Sequence, residues 1–219
     1  AILEEMSGQL VNRGPDSAGI WLDSLSKIAL GHRRLAIVDL SSAGYQPMTS
    51  GSNRYVMSYN GEIYNSNEIR NELIKSRVTL NWRGHSDTET LLAGFDAWGI
   101  RETVSRVTGM FAIAVWDKEL EQLTLIRDRI GEKPLYYGWQ GSGSNKVFLF
   151  GSELKALKKH PQFINDIDRG SLALYMRYCY VPAPHSIYKG IMKVEPGTIV
   201  TVTLQESEHT TEKYWNALD

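Results

Sequence analysis

Four short stretches of this 219-residue chain set charged, amide and turn-forming residues at the ends of apolar runs. They are Arg13-Gly-Pro-Asp-Ser-Ala-Gly19, Gly31-His-Arg-Arg-Leu-Ala-Ile-Val-Asp39, Asn60-Gly-Glu-Ile-Tyr-Asn65 and Gly84-His-Ser-Asp-Thr-Glu89. Asn60 and Gly61 offer one side-chain amide and one backbone amide, the two donors of an oxyanion hole, and glycine lets a reacting carbonyl come close. The plainer alternative is a hairpin turn, but Asn60-Gly61 leads into a helical stretch and not a returning strand. Arg33-Arg34 either lies on a solvated sheet edge or clamps a carboxylate, because a guanidinium fork donates two parallel hydrogen bonds. Asp87 is by default a partner of a helix dipole; otherwise it can hold an ammonium group. One carboxylate clamp and one ammonium clamp fit the head group of a free amino acid.

Strands must carry most of these residues. Residues 18–22, 27–30, 34–38, 54–59, 110–116, 123–128, 135–139, 146–150 and 198–204 are short apolar runs bounded by turn compositions. Residues 110–116 alternate large and small side chains, as a sheet between two layers requires. Helices are predicted over 2–11, 67–75, 87–98, 153–159 and from Asp168 to about Tyr178. Ser86-Asp-Thr-Glu89 reads as a capping box for the third of these, and residues 141–145 as a hairpin tip. Strands and helices are clustered without strict alternation, which fits an α+β layered domain and not a doubly wound sheet.

Composition narrows the chemistry further. Lys and Arg number 24 against 25 Asp and Glu, a net charge of -1, without the basic excess of a nucleic-acid or anionic-membrane binder. No apolar run approaches the ~20 residues of a membrane span, and the single cysteine excludes an intrachain disulfide framework. The five histidines (32, 85, 160, 185 and 209) show no metal-ligand spacing. A soluble, non-secreted, cytoplasmic protein is expected, binding neither nucleic acid nor membrane. Both ends look cut, with a helix in progress at Ala1 and an aromatic pair at Tyr214-Trp215 close to the last residue.

The four clusters, in this order, resemble the glutaminase domain of glutamine-dependent asparagine synthetases, class II amidotransferases with an N-terminal nucleophile. The likeness extends to residues 109–113, 127–136, 151–155, 180–184 and 195–197, almost the whole chain. It implies a four-layer αββα sandwich, incomplete at its N-terminus, formed by residues 1–219 as one truncated domain. Arg34 would bind the glutamine α-carboxylate, with the backbone of Leu35, Ile37 and Val38 shaping the pocket. Asn60 and Gly61 would form the oxyanion hole, and Glu62 and Asp87 would hold the α-ammonium end. A thiolate then attacks the side-chain amide, giving a thioester and ammonia.

The same resemblance implies a second, C-terminal synthetase domain, in which ATP and Mg2+ activate aspartate; the glutaminase domain itself would need no cofactor and no metal. The partners it implies are L-glutamine and that synthetase domain, with a homodimer as a further option. Two departures stand out. Ala1 is not the family's nucleophilic cysteine, which would lie some fifteen residues upstream, and no Ser-Gly-Gly-x-Asp-Ser loop is present for ATP phosphates. Asn12 also replaces the histidine usual before Arg-Gly-Pro-Asp. Cys179, mid-chain at the end of a helix, reads as a small packing residue. These 219 residues by themselves are therefore expected to release no ammonia. The alternatives are a related amidotransferase acting on a sugar or peptide carboxylate, and a cysteine-less domain that binds glutamine or serves as a scaffold.

Overall fold

A computed structural model describes residues 1–36, 42–76, 82–203 and 208–218. Its centre is β5 (Gly109–Asp117), where side chains alternate between two faces as strand geometry dictates. Phe111, Ile113 and Val115 point to one side, and Ala112, Ala114 and Trp116 to the other. A one-residue slip would exchange the two sets, so both buried faces specify the register.

β5 pairs antiparallel with β4 (Tyr55–Ile63) and β6 (Gln122–Arg127). Beyond β4 lies β3 (Met48–Thr49); beyond β6 come β10 (Thr198–Thr203) and β11 (Glu208–Lys213), giving a six-stranded antiparallel sheet. On its first face pack α2 (Ser66–Lys75), α3 (Asp87–Trp98) and α4 (Ile100–Arg106), through Ile69, Leu73, Leu91, Phe95 and Val104. The second face meets another β layer in two pieces: the hairpin β1 (Ser17–Asp23) with β2 (Ile28–Arg34), and the order β8 (Val147–Gly151), β7 (Tyr136–Gln140), β9 (Met192–Lys193). Val56, Ala114, Leu125 and Val200 interlock there with Leu30, Leu135 and Tyr137. The outermost layer holds α1 (Ile2–Gly8) and α5 (Leu154–Leu157), around Met6, Leu149, Leu157 and Phe163. The layers run αββα, the α+β sandwich expected. α6 (Arg169–Tyr178) stands apart, with Ser171 its one buried residue.

Several expectations are corrected. β4 does not stop at Tyr59 but runs through Asn60 and Gly61 to Ile63, so Asn60-Gly61 is no hairpin turn. The strand expected over 34–38 ends at Arg34, the last residue of β2, with Leu35 and Ala36 outside any strand. The capping box is half formed. Ser86 Oγ accepts the Glu89 N–H (3.3 Å), but the buried Glu89 carboxylate accepts from the N–H groups of Arg83 (2.6 Å) and Gly84 (3.1 Å). Cys179 is no packing residue: it is exposed and ends α6 in the left-handed conformation, φ 62°. β3, α4, β9 and β11 are elements the apolar pattern did not announce.

Candidate functional site

The four sequence clusters converge on the end of β2, the second half of β4 and the start of α3. The Arg13–Asp16 loop is laid along the end of β2: the Asp16 N–H donates to Arg34 O (3.0 Å), the Arg33 Nε–H to Gly14 O (2.9 Å), and the Ala36 N–H to Asp16 Oδ2 (2.8 Å). A Cβ on Gly14 would stand 2.3 Å from the carbonyl carbon of Arg33, so only glycine allows this approach. Arg34 is thereby held 8% exposed, its guanidinium carbon 5.4 Å from the Tyr45 ring centroid. The solvated-edge alternative for Arg34 is overturned.

The segment after Tyr45 ties this corner to the rest. Gln46 Oε1 accepts the Tyr59 N–H (2.6 Å) and its amide nitrogen donates to Thr88 Oγ1 (3.4 Å), bridging β4 to α3. Tyr59, buried on the helix-facing side of β4, donates its hydroxyl to Asp87 Oδ2 (2.6 Å). Burial and the Asp87 carboxylate together push the phenol's pKa far up, so it stays a donor. Asp87 also accepts the N–H groups of Ile63 (3.0 Å) and Thr88 (2.9 Å). It therefore locks the start of α3 to the end of β4, and a carboxylate with three donors retains lone-pair capacity for an ammonium.

Period-two alternation sends Ser58 and Asn60 to the opposite face from Tyr59. Ser58 donates its hydroxyl to Gly31 O of β2 (3.3 Å), and Asn60 lines a trough of about 600 Å³ between the two β layers. Asn60 and Gly61 are half-buried, while Glu62 is exposed. Gly61 is required by its neighbour strand: a Cβ there would lie 2.2 Å from Met110 O and 2.7 Å from Phe111 Cα. Leu35 is 54% exposed beside Arg34; Ile37 and Val38 lie outside the described residues. His32, one residue from Arg33 and facing the trough, has its pKa pushed down to about 4 by burial and by the Arg34 charge.

The trough has walls of unusual kind. Among the described residues β2 pairs with β1 alone and β8 with β7 alone, so each has a free edge. Both strands line the trough, Ala112, Ile113 and Ala114 of β5 line it together with Asn60, and Ala1 with Ile2, Leu3, Glu4, Met6 and Ser7 of α1 borders it. Ile2, Ile20 and Leu22, 45%, 40% and 63% exposed, leave its border apolar. Cys179 does not line it. Among the described residues no group of three or more His, Cys, Asp or Glu side chains is placed to hold a metal ion, and no helix is long and apolar enough to cross a membrane. Gln46 and Tyr59 were not singled out by sequence, and Asp16 only as a member of the first cluster; only a partner across the fold gives them their roles.

Comparison with known proteins gives the family and the fold. The chain is 36% identical over 222 residues to asparagine synthetase [glutamine-hydrolyzing] 3 of Bacillus subtilis, covering 98% of this chain and 33% of that protein. It is 37% identical to asparagine synthetase [glutamine-hydrolyzing] 1 of the same organism, covering 99% and 32%. With the putative asparagine synthetase [glutamine-hydrolyzing] 2 of Methanocaldococcus jannaschii the identity is 32%, over 99% and 44%. The chain thus spans a third to under a half of the length of these relatives. Among solved structures, the glutamine phosphoribosylpyrophosphate amidotransferase of B. subtilis has the same fold, with a TM-score of 0.66 at 19% identity over 98% of this chain and 46% of that one. The glutamine amidotransferase domain family matches residues 1–215. The chain belongs to that family, and is homologous to a part of proteins named as glutamine-hydrolysing asparagine synthetases.

Proposed function

We propose that residues 1–219 are the glutaminase domain of an asparagine-synthetase-type enzyme, hydrolysing L-glutamine to glutamate and ammonia for the ATP-dependent amidation of aspartate by a further region of the same protein. One observation carries the reading: Tyr59, next to the Asn60-Gly61 pair on β4, is hydrogen-bonded to Asp87 at the start of α3 and to Gln46, whose chain neighbour Tyr45 lies against the buried Arg34 at the end of β2.

Each group has a role fitted to the amino acid. Arg34 binds the α-carboxylate beside the backbone of Leu35, Ile37 and Val38, and Asp87, with Glu62, holds the α-ammonium. A thiolate adds to the side-chain amide carbon, and the oxygen takes up negative charge. The Asn60 amide and the Gly61 N–H donate to that oxygen, preorganised for the charge that develops there. The nitrogen leaves as ammonia once protonated by the base that deprotonated the thiol. Water then hydrolyses the thioester to glutamate. The thiol comes from outside these 219 residues. Ala1 has none, and Cys179 is a surface residue away from the trough. Two free sheet edges above an apolar floor that includes Asn60 support an extended segment as its carrier. ATP and Mg2+ belong to the synthetase region; the glutaminase chemistry of Arg34, Asn60, Gly61 and Asp87 uses neither. The setting is the cytoplasm.

Calorimetric titration with L-glutamine and an ammonia-release assay test the reading. The 219-residue polypeptide is expected to bind L-glutamine, to lose that binding with Arg34→Ala, and to release no ammonia. Ammonia release by this polypeptide alone overturns the placement of the thiol. Binding that survives Arg34→Ala overturns the site.

A further inference from the structure

α6 differs from the other helices in having its apolar stripe turned outward. Leu172, Tyr175 and Met176 recur at the i, i+3, i+4 spacing that places side chains on one face, and they are 41%, 48% and 75% exposed. The helix is fixed at its start: the Asp168 N–H donates to Ile187 O (2.9 Å), Asp168 Oδ1 accepts the Ser171 N–H (2.7 Å), and Ile167 bridges to Tyr188. Beyond its end, Tyr178 and Tyr180 continue the surface with ring centroids 6.3 Å apart, and both are exposed. Arg169 and Arg177 are exposed at its two ends. A buried face would explain such a helix; an exposed one marks a contact.

We infer that the outward face of α6, with Tyr178 and Tyr180, docks the synthetase region that the proposed function places in the same polypeptide, a partner surface that is apolar with a carboxylate rim to meet Arg169 and Arg177. The inference rests on that reading. The size of the patch selects a tethered partner over a second copy. At the exposures given, Leu172, Tyr175, Met176, Tyr178 and Tyr180 together present on the order of 600 Å², short of the ~800 Å² per partner of a standard free-standing interface. A covalently linked partner is held at an effective concentration of about millimolar, where a patch this small suffices. The relatives, of which this chain covers 33% and 32%, have the length for such a region.

Cys179, exposed at the end of the stripe and the single cysteine of these residues, is the probe. N-ethylmaleimide labelling is followed by mass spectrometry of the peptide carrying it, in the 219-residue chain and in the longer polypeptide. Labelling at least tenfold slower in the longer polypeptide is expected, with Met176→Glu returning it to within about twofold of the rate in the short chain. Equal rates in both, or a rate that Met176→Glu leaves slow, overturn the docking. So does a rate in the short chain that falls with its own concentration alongside a dimer by sedimentation, which would make a second copy the occupant. Glutamine hydrolysis by the same longer polypeptide is read in parallel. Its absence counts against the proposed function, whereas hydrolysis with an unprotected Cys179 counts against the docking alone.

Discussion

Lowering the pH from 8 to 5 is expected to cost this fold stability, chiefly through the imidazole of His32. His32 has its pKa pushed down to about 4 by burial and by the charge of Arg34, whereas in the unfolded chain it titrates near its ordinary 6.5. Between these values the unfolded state binds the extra proton, so stability rises with pH across the window and is lost as pH falls through it. At pH 5 the unfolded imidazole is almost fully protonated and the folded one only about a tenth, which removes about 2 kcal/mol relative to pH 8. The loss approaches about 3 kcal/mol below pH 4. For a domain of this length, 2 kcal/mol corresponds to a Tm lower by about 4–8 °C. Urea unfolding at pH 8, 7, 6 and 5, run in parallel on His32→Gln, separates this imidazole from His160, whose pKa burial also lowers, and from the carboxylates that also titrate. The variant's curve should be flatter by about 2 kcal/mol between pH 8 and 5. Parallel curves for the two proteins, or an NMR titration placing the His32 ring near 6.5, would refute the reasoning.

Tyr59→Phe removes a buried donor to Asp87, and a loss of about 1.5–3 kcal/mol is expected by urea denaturation, the range for hydrogen bonds to charged groups. Gly61→Ala places a methyl 2.2 Å from Met110 O; β4 and β5 must part, with a loss of about 1–3 kcal/mol in the same assay. In the longer polypeptide, Asn60→Ala should lower kcat for glutamine hydrolysis about 10²–10³-fold with KM little changed, since its donor acts on charge present only in the transition state. A matched rise in KM would instead make Asn60 a binding residue.

Much of the layered architecture was legible because its signals are local. The alternation of Phe111, Ile113 and Val115 with Ala112, Ala114 and Trp116 marks a strand buried on both faces, and Ser86 and Asp168 mark helix starts. The candidate site was legible as residue types, an arginine, an amide beside a glycine and a carboxylate, but not as an arrangement. Arg34 is buried by Tyr45 and by the loop at Gly14 and Asp16, contacts no spacing rule reports. Gly61 proved necessary for the approach of β5, a demand set by residues fifty positions away. α4 escaped notice because Gly99, at φ 81°, turns the chain straight from one helix into the next. β11 escaped because a strand exposed along most of its length carries no apolar alternation.

That outer strand has a consequence for the protein's colloidal behaviour. The six-stranded sheet terminates in β3, two residues long and preceded by Pro47, and in β11, which reads Glu-His-Thr-Thr-Glu-Lys. A long, flat apolar edge would template growth of the sheet by neighbouring molecules; one that is very short, and one lined with charge, do not. A second molecule adding to β11 in parallel register would set Glu208 against Glu208, Glu212 against Glu212 and Lys213 against Lys213, like charges directly opposite one another. The largest sheet of the fold is thereby closed to fibre-like extension at both ends, and concentrated solutions should resist ordered aggregation through it.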